Sequence, residues 1–300
     1  MAGFNPEFWR NAIKEKLFEE VPFLTKCFNA DEYVIGGVAV HIVQAGGSLP
    51  VQRNPTYPLT INQRQDGEVF YALNNYAVGA GLVTAIEEAE INYRKKETML
   101  RQFTGDMKDF VARDTLRLWC EGLPASSRLT TSGQSAPSTI GSTTGTRKML
   151  SKKDILKAAT MLDNQLVSSS SRHLLLSPDF HAQLMEEDQT FAIAYQNLMN
   201  LKTNEFPQLY GFSIMKYTKP IVTDTAGTIK LPEAAIATSD DVSAIFWQED
   251  CVELASGKLD IFDNARRAEY QGDIVSLLMR MGGRRNRGDN KGLGLITAKP

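Results

Sequence analysis

Three cysteines in 300 residues, Cys27, Cys120 and Cys251, are odd in number and far apart, which excludes a disulfide framework and a zinc-ligand spacing. They read as free thiols packed in the interior. An excess of charge of one sign is also missing: 33 lysines and arginines nearly cancel 35 aspartates and glutamates, for a formal charge of -2. That balance supplies no electrostatic drive towards nucleic acid or an anionic membrane. No run approaches the roughly 20 apolar residues that span a bilayer. The opening MAGFNPEFWRNAIKEKLFEE lacks the unbroken apolar core of a secretion signal, so folding in a reducing cytoplasm is expected. Histidine is scarce, and His41, His173 and His181 have no partner at a spacing that metal or nucleophilic chemistry demands. His173 and His181 read as polar tips at a strand or helix edge. No nucleophile elbow, Walker loop or dinucleotide fingerprint occurs. No catalytic, cofactor or metal site is expected.

What is present is elongated. Asn5-Pro6-Glu7 starts a short amphipathic helix over 6–20, whose aromatic face, including Trp9, must be covered by the rest of the chain or by another copy. Residues 33–43 (YVIGGVAVHIV) and 69–78 (VFYALNNYAV) read as strands. Between them, 44–68 is too long for a hairpin turn and is broken by Pro50, Pro55, Pro58 and three glycines. Its Val51, Tyr57, Leu59 and Ile61 fit a partly extended arm with apolar anchors. Residues 85–121 carry no proline and repeat apolar side chains at helical spacing, enough for a helix of roughly 50 Å. Gly105 is placed to bend it or weaken its middle.

Residues 122–146 are rich in Ser, Thr, Gly and Pro, the composition of a surface loop that divides the chain. Ser151 and Asp154 form a capping-box pattern that opens a helix with Ile155, Ala158, Ala159, Leu162 and Leu166 inward. HLLLSPDFHAQLMEED then suggests a buried strand, a turn and a helix, and 206–220 and 234–248 suggest further strands. The tail reads as QGDIVSLLMRM, a basic GGRRNRGDNKG, and LGLITA. The basic stretch could clamp phosphates, but it has no stacking aromatics and reads more simply as a solvated hairpin tip. Glu87, Glu88 and Glu90 could suggest a carboxylate metal site and read more simply as a solvated helix start.

This order of elements resembles the major capsid proteins of tailed bacteriophages, the Hong Kong ninety-seven capsid fold. The matching pieces are the helix at 6–20, the arm at 38–78, the helix at 85–121, DILKAATMLDNQL before HLLLSPDFHAQL, LYGFSIMKYTKP, and a closing strand pair in the tail. The resemblance implies an α+β fold with an N-terminal arm (1–37), an extended β-hairpin loop (38–78), a peripheral domain with a spine helix (79–148), a mixed α/β axial domain (149–248), and return strands of both domains (249–300). It implies a virion shell of hexamers and pentamers enclosing double-stranded DNA, assembled in the host cytoplasm with scaffold, portal or decoration proteins. Trp9, Arg53, Tyr57, Leu59, Arg64, Arg284, Arg285 and Arg287 become subunit-contact candidates, with the tip around 53–64 docking on a neighbour. Residues 44–68 contain no lysine, so the shell is expected to be noncovalent. An encapsulin-like compartment is the nearest alternative, and an α/β hydrolase-type enzyme the one from another class.

Overall fold

The structure, a computed structural model, describes residues 21–44, 51, 53–58, 61, 63, 67–84, 95–138, 144–186 and 208–300. The helix expected over 6–20, the start of the long helix, and Trp9, Leu59 and Arg64 lie outside the described residues.

The chain opens with two short strands, β1 (Phe28–Asn29) and β2 (Val34–Ile35), followed by β3 (Ala39–Gln44), β4 (Gly67–Ala72) and β5 (Asn74–Thr84). Residues 33–43 are therefore not one strand. Gly36 and Gly37 take φ of +62° and +69°, a conformation open to glycine, and turn β2 back on β3. Residues 69–78 are likewise two strands in two sheets: β4 pairs with β3 from Ala39↔Ala72 to Gln44↔Gly67, and after Leu73 the chain enters β5.

Helix α1 (Lys95–Cys120) is followed by β6 (Arg128–Thr130), β7 (Ser135–Pro137), β8 (Thr146–Lys148), α2 (Lys152–Asn164), β9 (Arg172–Leu176) and α3 (Pro178–Glu186). The chain closes with β10 (Phe212–Lys216), β11 (Ile221–Thr223), β12 (Asp241–Gln248), β13 (Val252–Arg267), β14 (Gly272–Arg285) and β15 (Leu293–Thr297). Helix α1 continues through Gly105 without a break.

A four-stranded sheet in the order β1-β13-β14-β5 carries α1 on one face. Leu100, Met107, Val111, Leu116 and Trp119 of the helix pack with Tyr76, Val275, Leu277 and Met279 of the sheet. A second sheet runs β10-β9-β12-β15-β6, with β11 also on β12. Both of its faces are covered, and alternate residues go to different cores. Leu174, Phe246 and Ile296 meet Ile155, Leu162 and Phe180 of α2 and α3. Leu175, Ile245, Trp247 and Leu295 join the α1 core. Burial on both sides is why HLLL, AIFW and LGLI read as continuous apolar runs.

Three further expectations are corrected and one is extended. Residues 122–146 are not simply a surface loop: β6 pairs in parallel with β15, β7 pairs with β8, and Ser127 and Thr131 are buried. The capping box at Ser151 is present, and Asp154 also accepts hydrogen bonds from the Ser132 N–H (2.8 Å) and hydroxyl (2.6 Å), which ties that segment to α2. Leu166 points outward, 90% exposed, because α2 ends at Asn164 and Leu166 takes a left-handed φ of 56°. Its N–H bonds the Asp163 carbonyl and the Val167 N–H bonds the Leu162 carbonyl, a Schellman closure with leucine where glycine is usual. His173 is no edge tip: it is buried on β9 opposite Trp247 of β12, with ring centroids 5.6 Å apart.

The tail is not a hairpin either. Gly282 to Arg285 belong to β14, and 286–292 cross from the four-stranded sheet to β15 in the six-stranded one. No strand was legible in the sequence at β13, which with 16 residues is the longest among the described residues. Its alternation is interrupted at Gly257 and Lys258, where the β13–β14 register shifts.

Candidate subunit-contact surfaces

Four side chains fix the root of the β3–β4 arm. Ala30, Val40, Leu73 and Ala255 form a small core of their own, flanked by Phe28, Val34, Ile42 and Tyr71. The root lies so close to β14 that a Cβ on Gly282 would sit 2.8 Å from Leu73 and 3.2 Å from Tyr71. Arg280 donates to the Gly37 carbonyl at 3.3 Å and locks the turn before β3. Further out, His41 Nδ1 and Glu68 Oε1 are 2.5 Å apart, and His41 packs edge-on against Phe70 with centroids 4.7 Å apart.

Beyond β3 and β4 the arm offers apolar groups to solvent. Val51 is 99% exposed, Ile61 97% and Tyr57 79%, and Arg53 is exposed among them. Exposed apolar side chains grouped on one segment are a feature that interaction surfaces commonly share.

The basic segment is less free than its composition suggests. Arg284 Nε donates to Glu253 Oε1 at 2.6 Å, Glu253 is fully buried, and the guanidinium lies 5.3 Å over the Tyr71 ring. Burial raises the Glu253 carboxyl, and the arginine beside it opposes the rise. Arg285 donates to the Glu121 carbonyl at the end of α1 (2.7 Å), where a helix C-terminus favours a cation. Arg287 is bidentate on Asp289 (2.7 and 3.0 Å), which holds that carboxyl at about 2. Arg284 is thus tied into its own subunit, while Arg287 stays nearer the surface.

Sequence reading missed this Glu253 centre. Trp119 Nε1 donates to the Glu253 carbonyl at 3.0 Å, and a Cβ on Gly283 would sit 3.0 Å from both atoms. The signal was there: paired glycines inside a strand pattern mark a close approach of backbone.

The titratable interior is arranged against reactivity. Burial pushes the thiols of Cys27 and Cys120 up to about 12, so neither is a thiolate at neutral pH. Cys27 is half-buried rather than fully interior. Burial lowers His181 to about 4 and also lowers His173, whose ring stands 3.5 Å from the Glu249 carboxylate. Among the described residues no three of His, Cys, Asp or Glu gather as a metal site, and no helix is long and apolar enough to cross a membrane.

No protein-family model matches the sequence, and no curated protein matches it. Solved structures do. The chain is similar to the capsid of the Cyanophage P-SCSP1u at 14% identity and a TM-score of 0.63, over 91% of this chain and 85% of that one. It is similar to the capsid of Ralstonia phage GP4 at 10% identity and a TM-score of 0.63, over 91% and 87%. The virus-like particle from Pyrococcus furiosus aligns over 97% and 98% of the two chains, at 10% identity and a TM-score of 0.53. The chain thus has the α+β fold of phage capsid subunits, the one its order of elements resembles. The proteins it resembles are shell components rather than enzymes.

Proposed function

We propose that the chain is the major capsid protein of a tailed bacteriophage, self-assembling through hexamers and pentamers into an icosahedral head around double-stranded DNA. The observation that carries this reading is the end-to-end likeness to capsid subunits. The bare arm tip supports it, since Val51, Tyr57 and Ile61 are exposed among the described residues. The four-stranded sheet with α1 serves as peripheral domain and the six-stranded sheet with α2 and α3 as axial domain. Trp9, Arg53, Tyr57, Leu59, Arg64, Arg284, Arg285 and Arg287 are the contact residues of this reading. Many modest contacts add through multivalency, and near-neutral charge keeps copies from repelling one another. Scaffold, portal and decoration proteins are the expected partners, the host cytoplasm is the place of assembly, and the virion is the destination.

The test is electron microscopy of the purified protein together with nuclease treatment of particles from infected cells. Hollow icosahedral shells and nuclease-protected DNA are the expected results, and a monodisperse monomer at high concentration overturns the reading. A cargo compartment is the second reading, favoured by the near-complete two-way alignment with the Pyrococcus furiosus particle. Shells that hold a protein and no DNA select it.

A further inference from the structure

We infer that the cleft between α1 and residues 219–236 is a docking site for a separate partner polypeptide, which inserts one apolar side chain with a carboxylate beside it. The inference goes beyond the shell reading and concerns a single subunit. Leu116 of α1, Ile221 of β11 and Ile229 give the cleft an apolar lining, at 1%, 5% and 6% exposure. Leu231 lines it too and stands 55% exposed.

Three cations line the cleft, Arg113, Lys219 and Lys230, and no carboxylate does. Lys219 and Lys230 are paired with residues outside the lining, Asp109 at 2.9 Å and Asp240 at 2.7 Å. Arg113 is different. Its Nη1 donates to the Pro232 carbonyl at 2.8 Å and its Nε to the Asp109 carbonyl at 3.4 Å, so among the described residues its charge meets main-chain oxygens and no carboxylate. An arriving carboxylate would supply the missing counter-charge through a charge-assisted hydrogen bond. The walls are fixed beforehand: the Lys230 N–H donates to the Val222 carbonyl at 2.9 Å, and Arg113 ties Pro232 to α1. Docking into walls already ordered loses little conformational freedom.

Size and charge select the occupant. Sites for free small molecules span about 300–1,000 Å³, so a cleft of about 180 Å³ suits one anchoring side chain of a longer chain. The arm of this chain does not fit, because Val51 and Tyr57 flank Arg53, which the three cations repel. A second copy could offer Tyr270, 54% exposed beside Glu269, but Arg266 and Arg267 close by in the chain oppose it.

The experiment is fluorine NMR on the full-length chain, with a short peptide in which fluorophenylalanine follows glutamate in a glycine-serine background. Saturable binding is expected, on the order of tenfold weaker when the glutamate is replaced by glutamine, the size of one charge-assisted contact. Arg113→Gln is expected to erase that difference while the glutamine peptide binds as before. Ala234→Trp, at an exposed position of the lining, is expected to block both peptides and keeps the test open should Arg113→Gln fail to fold. No binding, equal binding of the two peptides, or binding that survives Ala234→Trp overturns the docking site. Binding seen only after Tyr270→Ser shows a second copy already in the cleft and overturns the separate partner. None of these outcomes bears on the shell reading, which the particles decide.

Discussion

Glu253 and Arg284 show how much one pair of side chains decides. A carboxylate with no exposure has a single cation at 2.6 Å, so Arg284→Ala leaves a buried charge without a partner and is expected to cost about 3 kcal/mol of subunit stability. Replacing both by leucine is expected to return most of that loss, and urea unfolding of the dissociated subunit checks both. Leu166 works in the other direction. Its left-handed φ of 56° strains a leucine and not a glycine, so Leu166→Gly is expected to stabilise the subunit by about 1 kcal/mol. The two histidines set a pH limit. His181, near Lys216, has a folded value of about 4 against 6.5 unfolded, and His173, facing Glu249 and Lys26, shifts the same way. The unfolded chain therefore binds the extra protons, and stability present above pH 6.5 is lost as pH falls towards 4. Thermal midpoints between pH 8 and 4 are expected to fall in that window, less steeply for His181→Gln.

At the level of elements, the clearest signals were those where one local rule acts alone. The cap at Ser151, the buried runs at β9 and β12, and the helical repeat through α1 were all legible, because each side-chain pattern is set by burial or by a cap. Ser151→Ala is expected to cost about 1 kcal/mol, and somewhat more if the Asp154 contacts to Ser132 loosen with it. Elements that depend on a distant partner were hidden. The strand β6 has an unremarkable Arg-Leu-Thr composition and exists because β15, at the far end of the chain, pairs with it. The bulge in β13 broke the alternation that would have revealed it, and β14 was legible only up to the glycines that let Trp119 and Leu73 approach. Of the contact candidates, composition correctly marked the arm tip as exposed and apolar. It gave no sign of the ion pair that Arg284 makes with a residue 31 positions away.

For the whole molecule, the proposed shell role would let the arm separate folding from assembly. Tyr57 and Ile61 stand exposed and outside the cores formed by the described residues, so Tyr57→Ser with Ile61→Ser is expected to change subunit stability by no more than about 0.5 kcal/mol. Particle yield by sedimentation is nonetheless expected to fall sharply, because those side chains would lose their cover on the neighbour. With no lysine between 44 and 68, boiled particles are expected to run as single chains on a denaturing gel, and a covalent ladder from untreated particles would contradict this.

The position of β15, flanked by β12 and β6 inside the six-stranded sheet, also bears on how the polypeptide matures during synthesis. While a ribosome has yet to release residues 293–297, β6 has no neighbour, one side of β12 stands open, and Ile245 and Trp247 lack the leucines that complete their packing. A chain lacking residues 293–297 is therefore expected to leave the six-stranded sheet incomplete and part of its apolar surface uncovered.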